Sequence, residues 1–465
     1  MEKCDKSCNF APENVIETME LLKRKIDTFL STWKQNPNRK PLIVKGARQI
    51  GKTESIRFFA KNNYKNVVEI NFVFQKQYKQ IFADGYEVDS IIKNISLLNP
   101  RLSFTEGETL FFFDELQECP DCATCLKAFK IDGRYDVICS GSLMGIHYKE
   151  IESNSVGYKE DYEMYSLDFE EFLWAKGYSE TMIDSIYSHL ETLRPYSDLE
   201  FDVLMNAFKD YMILGGMPEV VYNYIAKKNF SGSLVTQKQL HLDYEEDITK
   251  YAKDGMERTK ILNIYRHISI FLAKDNKKFQ ITKIAPKARN REYIGSVEWL
   301  ENAGIISPCY CMESVELPLK GNYNPSQYKI YFKDTGMLIA SLDEEAQDDL
   351  RINKNFATYK GAIYENIVAD MLVKQGYNLF YYKNEKSTIV MDFFVRNSSG
   401  LIPIEVKASD NATASLNKLI DSDKYPDVSF GIKLCNKNIG FNGKFYTLPY
   451  FLTFLLKRWL KEMKD

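Results

Sequence analysis

Residues 46–53 read Gly-Ala-Arg-Gln-Ile-Gly-Lys-Thr, a spacing suited to holding the phosphates of a nucleotide. Gly46 and Gly51 let the backbone wrap phosphate oxygens without a Cβ in the way. Ala47, Arg48, Gln49 and Ile50 complete the loop, Lys52 is placed to reach the β- and γ-phosphates, and Thr53 to hold Mg2+. The apolar run 41–44 precedes the loop and the helical pattern 54–62 follows it, so a helix N-terminus would add its partial positive charge. The ligands expected are ATP and Mg2+.

Asp114 follows Thr53 by 61 residues and, with Glu115, ends the apolar run Thr-Leu-Phe-Phe-Phe. Acids at the C-terminal end of a parallel strand face the ligand crevice. Asp114 is therefore expected to hold Mg2+ through water, and Glu115 to orient the attacking water. After the next apolar run, 135–139, Ser140 or Ser142 is placed to sense the γ-phosphate, with a turn at 140–142. Arg48 and Arg134 are the arginines considered for a finger role.

A second constellation lies near the C-terminus. Glu365 sits in a helical pattern, Asp392 ends a strand-like run, and Glu405 and Lys407 follow on another strand, where alternation puts both on one face. Acids and a lysine on adjacent strands can bind Mg2+ through Glu365, Asp392 and Glu405 and hydrolyse a phosphodiester with Asp392, Glu405 and Lys407. The alternative is a domain that keeps this fold without cleaving. Segment 274–291 carries five Lys, two Arg and one Asp, enough charge to meet several phosphates of DNA or RNA. Cys119, Cys122 and Cys125 are spaced like part of a metal site, but a fourth ligand is missing and core packing explains them. Cys309 and Cys311 alternate along a strand.

The elements that must position these residues divide the 465-residue chain. Apolar runs at 41–44, 66–72, 109–113 and 135–139 are short strands of the buried, parallel kind, with helices between them. Residues 14–35 have helical spacing, 165–270 are helical throughout, and 271–345 read as helices followed by the strands 306–312 and 327–332. That order resembles a winged helix, with a helix near 291–303 in the recognition position. The remainder is mixed α/β, with a helix over 361–376 and strands near 379–395 and 401–407. Charged residues are 27% and hydrophobic residues 45%, with a net charge of −3, so no global basic footprint is present. No run approaches the ~18 apolar residues of a membrane helix, and the first residues lack the apolar core of a secretory signal. A cytoplasmic protein is expected, without a disulfide framework.

The chain resembles a prokaryotic family of AAA-superfamily ATP-binding proteins that carry a C-terminal region of unknown function with a restriction-endonuclease-like fold. The resemblance runs over about residues 40–410. It rests on the 46–53 loop, Phe-Phe-Phe-Asp-Glu-Leu-Gln-Glu-Cys-Pro, Ser140–Ser142, Ser-Leu-Asp-Phe-Glu-Glu-Phe-Leu, Leu-Gly-Gly-Met-Pro-Glu-Val-Val, Tyr-Phe-Lys-Asp-Thr-Gly-Met-Leu, the helix with Glu365, and the Asp392 and Glu405 segments. It implies an α/β protein: a P-loop AAA-type ATPase core (39–164) after an N-terminal helix (1–38), a helical lid (165–270), a winged-helix-like domain (271–345) and a PD-(D/E)XK nuclease-like domain (346–465). Met391 stands where that pattern has proline, and Gly157–Tyr158 where many relatives have Gly-Arg. The activity implied is an ATPase acting as a molecular switch. The alternatives are an ATP-gated nuclease of DNA or RNA, and a non-cleaving regulator that binds nucleic acid or a protein partner.

Overall fold

The computed structural model describes residues 22–142, 155–273, 278–283, 289–342, 357–384, 388–398, 400–407 and 413–463. The first sheet holds β1 (Leu42–Gly46), β2 (Asn66–Asn71), β3 (Thr109–Asp114), β4 (Asp136–Ser142) and β5 (Glu160–Glu163). Their order is β2-β3-β4-β1-β5 and every neighbouring pair is parallel. Parallel neighbours need crossovers, and helices Lys52–Asn63, Val88–Leu98 and Pro120–Asp132 lie between the strands in the chain. Side chains of β3 enter two cores by turns: Leu110 and Phe112 join Val44 and Ile138, while Phe111 and Phe113 join Val137 and Cys139. Burial on both faces is why β3 is an unbroken apolar run. Because the strands are parallel, Gly46, Asn71, Asp114 and Ser142 end along one edge of the sheet.

Four of these strands lie where the apolar runs place them. Ser140–Ser142 differ from the expected turn, because β4 continues to pair with β1 as far as Ser142 opposite Gly46. The edge strand β5, Glu-Asp-Tyr-Glu, carries no apolar signature, and its pairing with β1 is made by backbone. The first described helix is Lys25–Gln35. The expected 14–21 portion lies outside the described residues.

A helical region follows: Phe169–Ala175, Glu180–Glu191, Asp198–Leu214, Pro218–Lys227, Ser231–Tyr251 and Gly255–Leu272. Beyond the short helix Ile294–Asn302, β6 (Ile306–Met312) and β7 (Tyr323–Phe332) pair antiparallel. β6 also pairs in parallel with β8 (Leu379–Lys383), which pairs with β9 (Val390–Met391). One sheet therefore runs across the 345/346 boundary. The last sheet comprises β10 (Phe393–Arg396), β11 (Leu401–Val406), β12 (Gly431–Cys435), β13 (Gly440–Phe441) and β14 (Phe445–Pro449), ordered β10-β11-β12-β14-β13. A single apolar core contains Val44 of β1, Phe208 and Tyr211 of the helical region, and Ile367, Leu448 and Tyr450 of the last region. No described helix is long and apolar enough to cross a membrane.

The polar joint of these regions is Asp334. Its carboxylate accepts hydrogen bonds from Ser166 Oγ at 2.5 Å, Gly216 N at 2.8 Å and Gly336 N at 2.9 Å. A Cβ on Gly216 would lie 1.9 Å from the Leu167 carbonyl oxygen, and one on Gly215, at φ +70°, would lie 2.1 Å from Asp334 Oδ1. The Gly-Gly pair is thus required by close approach. Lys374 on the helix Ala357–Lys374 adds bonds to Leu167 O at 3.1 Å and Tyr211 OH at 3.0 Å. Sequence segments spread over 200 positions meet here, which accounts for several motifs that carry no reacting group.

Candidate functional site

The phosphate loop begins where β1 ends. Gly46 has no room for a side chain: a Cβ would stand 2.3 Å from Met164 O and 2.4 Å from Ile50 Cδ1. Gly51 caps the next helix at φ +88°, and Gln49 also takes a positive φ of 59°. This winding places the first turn of Lys52–Asn63 over the loop, with its N-terminal partial charge facing the strand ends.

Lys52 lies buried, and its ammonium donates to the carbonyls of Gly46 at 3.1 Å and Ala47 at 2.5 Å. Burial pulls its pKa down to about 8; Glu115 and Asp114 oppose that and Arg48 adds to it. Thr53 Oγ1 donates to the Asp114 oxygens at 3.2 and 3.3 Å. The buried Asp114 carboxylate also accepts from Asn71 Nδ2 at 2.9 Å, from the Glu115 N–H at 3.1 Å and from Ser140 Oγ. Glu115 sits in left-handed backbone at φ 59° and accepts from Gln117 Nε2, while Gln117 Oε1 accepts from Ser142 N at 3.1 Å. Thr53 and Asp114 offer hard oxygen donors, the kind Mg2+ takes alongside phosphate oxygens. The residue types therefore fit the metal.

Lys52, Thr53, Asp114, Glu115 and Ser140 are thus gathered at one end of the sheet. Ser140 reaches Asp114 from inside β4. Arg134 is at the opposite end, before β4 begins, paired with Asp132 and Asp89, each at 2.6 Å. Arg48 and Gln49 turn to the helix Ser231–Tyr251. Arg48 Nη1 meets Asp247 Oδ1 at 2.6 Å, Arg48 Nη2 meets the Tyr251 hydroxyl at 2.8 Å, and Gln49 Nε2 meets Asp243 Oδ2 at 3.1 Å. Positions 243, 247 and 251 are one helical turn apart, so they share a face. Ile50 O accepts from the buried Arg24 at 2.9 Å. Asn71, Asp247 and Arg24 escaped sequence reasoning, and Gln117 was quoted within a motif without a role. Asn71 alone carried a signal, as a polar residue ending an apolar strand.

The C-terminal constellation is arranged differently from expectation. Glu405 and Lys407 do share a face and pair at 2.8 Å. Glu365 and Asp392 instead share a cation from β7: Lys329 Nζ lies 3.4 Å from Glu365 Oε2 and 3.8 Å from Asp392 Oδ1. Tyr331 OH adds a bond to Glu365 at 3.0 Å, and Val406 N one to Asp392 at 2.9 Å. Burial alone would lower the Lys329 ammonium, but Glu365 and Asp392 outweigh it and push it up to about 12. Among the described residues no group of three or more His, Cys, Asp or Glu side chains is placed to hold a metal ion. Of the expected metal set Glu365, Asp392 and Glu405, the first two hold a buried ammonium between them, while Glu405 pairs with Lys407. Cys119, Cys122 and Cys125 are free and buried, as core packing requires. Of the basic segment 274–291, residues 274–277 and 284–288 lie outside the described residues.

A family model described as an AAA domain matches residues 38–173. Two more, both described as domains of unknown function (DUF8612 and DUF4143), match 205–348 and 360–451. An uncharacterized protein of Methanocaldococcus jannaschii is 24% identical over 440 residues, covering 92% of this chain and 87% of that protein. An uncharacterized protein of Haemophilus influenzae is 21% identical over 418 residues, covering 87% and 89%. Among solved structures, the Walker-type ATPase of Pyrococcus abyssi aligns with a TM-score of 0.42 and 13% identity over 69% of this chain and 95% of its own. The AAA match spans the phosphate loop, Asp114, Glu115 and Ser140 together, so residues 38–173 of this chain are similar to an AAA domain.

Proposed function

We propose that this protein is an Mg2+-dependent ATPase that works as a molecular switch. The observation that carries the reading is the convergence of Lys52, Thr53, Asp114, Ser140 and Glu115 at the strand ends beneath a helix N-terminus. Mg2+, held by Thr53 and through water by Asp114, would neutralise charge on the β- and γ-phosphates. Lys52 exchanges its loop carbonyls for phosphate oxygens, which offer a full negative charge in place of two dipoles. Glu115, steadied by Gln117, orients the attacking water. Ser140 holds the Asp114 carboxylate in place from the neighbouring strand.

The switch would run through the helix Ser231–Tyr251. Its C-terminal half grips Arg48 and Gln49 of the loop, while Gln237 in its first half donates to the carbonyls of Ile213 and Leu214 at 2.9 Å, beside the Gly215–Asp334 joint. A loop that changes shape around phosphate would thereby bias the packing of the C-terminal regions. In the last region, the Lys329 ammonium between Glu365 and Asp392 favours a non-cleaving scaffold that presents a partner surface. ATP-gated cleavage of DNA or RNA by Asp392, Glu405 and Lys407 is the second reading, favoured by Glu405 Oε2, a buried oxygen without a hydrogen-bond partner.

Titration with labelled ATP tests the site. Lys52→Ala should abolish binding, and normal binding by that variant would remove the assignment. Labelled DNA and RNA incubated with Mg2+ or Mn2+, with and without ATP, test the second reading. Cleavage that disappears in Glu405→Ala/Lys407→Ala would make the last region a nuclease.

A further inference from the structure

Two buried side chains from outside the first sheet grip the loop 46–53 by its backbone. Arg24 is 5% exposed and donates from Nη1 to Ile50 O at 2.9 Å. Its Nη2 donates to Tyr165 O at 2.7 Å, and its Nε lies 3.2 Å from Glu171 Oε1. The guanidinium is therefore fixed on its far side as well as at the loop. Tyr244, on the helix Ser231–Tyr251, is equally buried and donates its hydroxyl to Arg48 O at 2.8 Å. The two halves of the loop thus differ. Gly46 and Ala47 turn their carbonyls to the Lys52 ammonium, while those of Arg48 and Ile50 are drawn to Tyr244 and Arg24.

A trans peptide is planar, so its C=O and the N–H that follows point in opposite directions. Both peptides concerned are trans. Holding Ile50 O aims the Gly51 N–H away from Arg24, and holding Arg48 O aims the Gln49 N–H away from Tyr244. Gln49 and Gly51 are also the loop residues with positive φ, 59° and 88°. Left-handed residues alternating along a turn bring successive N–H groups into one concavity, which suits an anion. Glycine takes that backbone freely, but glutamine does so at a cost that surrounding contacts must sustain. Among the described residues neither N–H donates to another protein group. On the reading of residues 46–53 as a phosphate site, we infer that Arg24 and Tyr244 are its positioning residues: they hold the Gly51 and Gln49 N–H groups toward the phosphates of a bound nucleotide. Neither side chain touches the nucleotide itself. A shift of the helix Ser231–Tyr251 carries Tyr244 with it and turns the Gln49 peptide, so phosphate affinity and the position of that helix are coupled in both directions.

Two conservative variants of the full chain test this. Tyr244→Phe removes the hydroxyl and keeps the ring. Arg24→Lys keeps the charge but cannot hold Ile50 O, Tyr165 O and Glu171 at once. Calorimetric titration with ATP–Mg2+, and with tripolyphosphate, which has no base, should find each variant weaker by about 3- to 10-fold, the worth of one hydrogen bond. A merely structural role would shift the urea midpoint and leave these affinities of the folded chain unchanged. A spectroscopic signature is also within reach, because Arg48–Gln49 is the only Arg-Gln pair in the sequence. Isotopic labels on arginine carbonyl carbons and glutamine nitrogens therefore single out the Gln49 amide in a carbonyl-filtered spectrum. ATP–Mg2+ should move its proton downfield, as a charge-assisted hydrogen bond does, and by less in Tyr244→Phe. Variants that bind both probes as the wild type does, or a Gln49 signal that ATP leaves in place, would overturn the inference while the site keeps its ligand. Failure of the site itself looks different: a wild-type chain that binds neither probe, or Lys52→Ala binding as well as wild type, removes the phosphate reading and the positioning roles with it.

Discussion

Arg48 of the phosphate loop and Asp247 of the helix Ser231–Tyr251 are 199 positions apart in sequence and 2.6 Å apart in space. The loop that we propose surrounds phosphate is therefore fastened to an element outside the sheet that shapes it. The pair is partly exposed, with side chains 25% and 14% accessible, so its worth to stability is modest, about 0.5–1 kcal/mol. Its use is positional. Arg48→Ala should leave the unfolding free energy within about 1 kcal/mol of wild type and leave ATP bound, yet abolish the effect of ATP on proteolysis of the 231–251 helix. Protection that persists in Arg48→Ala would show that another contact carries the signal.

Lys52 supplies a pH dependence. Its ordinary value is 10.5 and burial holds it at about 8. The folded value lies below the unfolded one, so between these limits the unfolded chain binds more protons and stability rises with pH; below about pH 8 the cost of burying the charged ammonium is fully present. Phosphate favours the charged form, so above pH 8 ATP must bring a proton with it. The dissociation constant for ATP should rise by up to about tenfold per pH unit there. Calorimetry in buffers of different ionisation enthalpy should register uptake approaching one proton at pH 8.8 and little at pH 7.

Glu115→Gln keeps the side-chain shape and loses the carboxylate that we propose orients water. ATP should still bind, while turnover falls by about 100-fold or more, the scale of a general-base contribution. Single-turnover hydrolysis checks this, and an unchanged rate would move the water-orienting role to another residue.

The candidate site was legible where one local pattern pointed to both the element and the expected chemistry. Gly46–Thr53 and Asp114–Glu115 each join an apolar strand to its polar end, so a short window contains the whole signal. The strand ending at Asn71 had the same form, but an amide is common in turns and did not stand out. β5 was hidden because an edge strand paired through its backbone can carry mostly charged side chains, one of which, Asp161, meets Lys45 of β1 at 2.9 Å. Asp247 and Lys329 were hidden for a different reason. A lone acid on an amphipathic helix and a lone lysine in Gln-Tyr-Lys-Ile-Tyr-Phe acquire meaning only when distant segments pack against them. The Leu-Gly-Gly and Asp-Thr-Gly segments were noticed as motifs, yet their reason, close approach around Asp334, is tertiary.

Asp370 offers a second titration. Burial raises its carboxyl from 3.8 to about 7 against the pull of Lys374, with Asp334 adding to the rise. Here the folded value is the higher one, so between pH 4 and 7 the folded chain holds a proton that the unfolded chain has lost. Stability should fall as pH rises through that window, by at most about 1.4 kcal/mol per unit from this group. Urea unfolding of wild type and Asp370→Asn at pH 5 and 7.5 isolates it. The difference between the two proteins should shift with pH, and a constant difference would show that Asp370 does not titrate there.

The ammonium of Lys329 bears on what the last region can do. It is buried with Glu365 and Asp392, so Lys329→Met leaves two carboxylates without their shared countercharge in a site that admits little water. Breaking a buried pair from one side costs about 3–5 kcal/mol, and urea unfolding at pH 7.5 should show a loss of that size. Adding Glu365→Gln to Lys329→Met removes one of the stranded charges and should recover much of it, a coupling that a double-mutant cycle measures. The same vacated space suits a divalent cation. Mn2+ should therefore raise the melting temperature of Lys329→Met more than that of wild type, and the excess should vanish when Glu365→Gln is added. A wild-type chain that binds Mn2+ through Asp392 and Glu405 with Lys329 in place would reverse the argument and return the region to the nuclease reading.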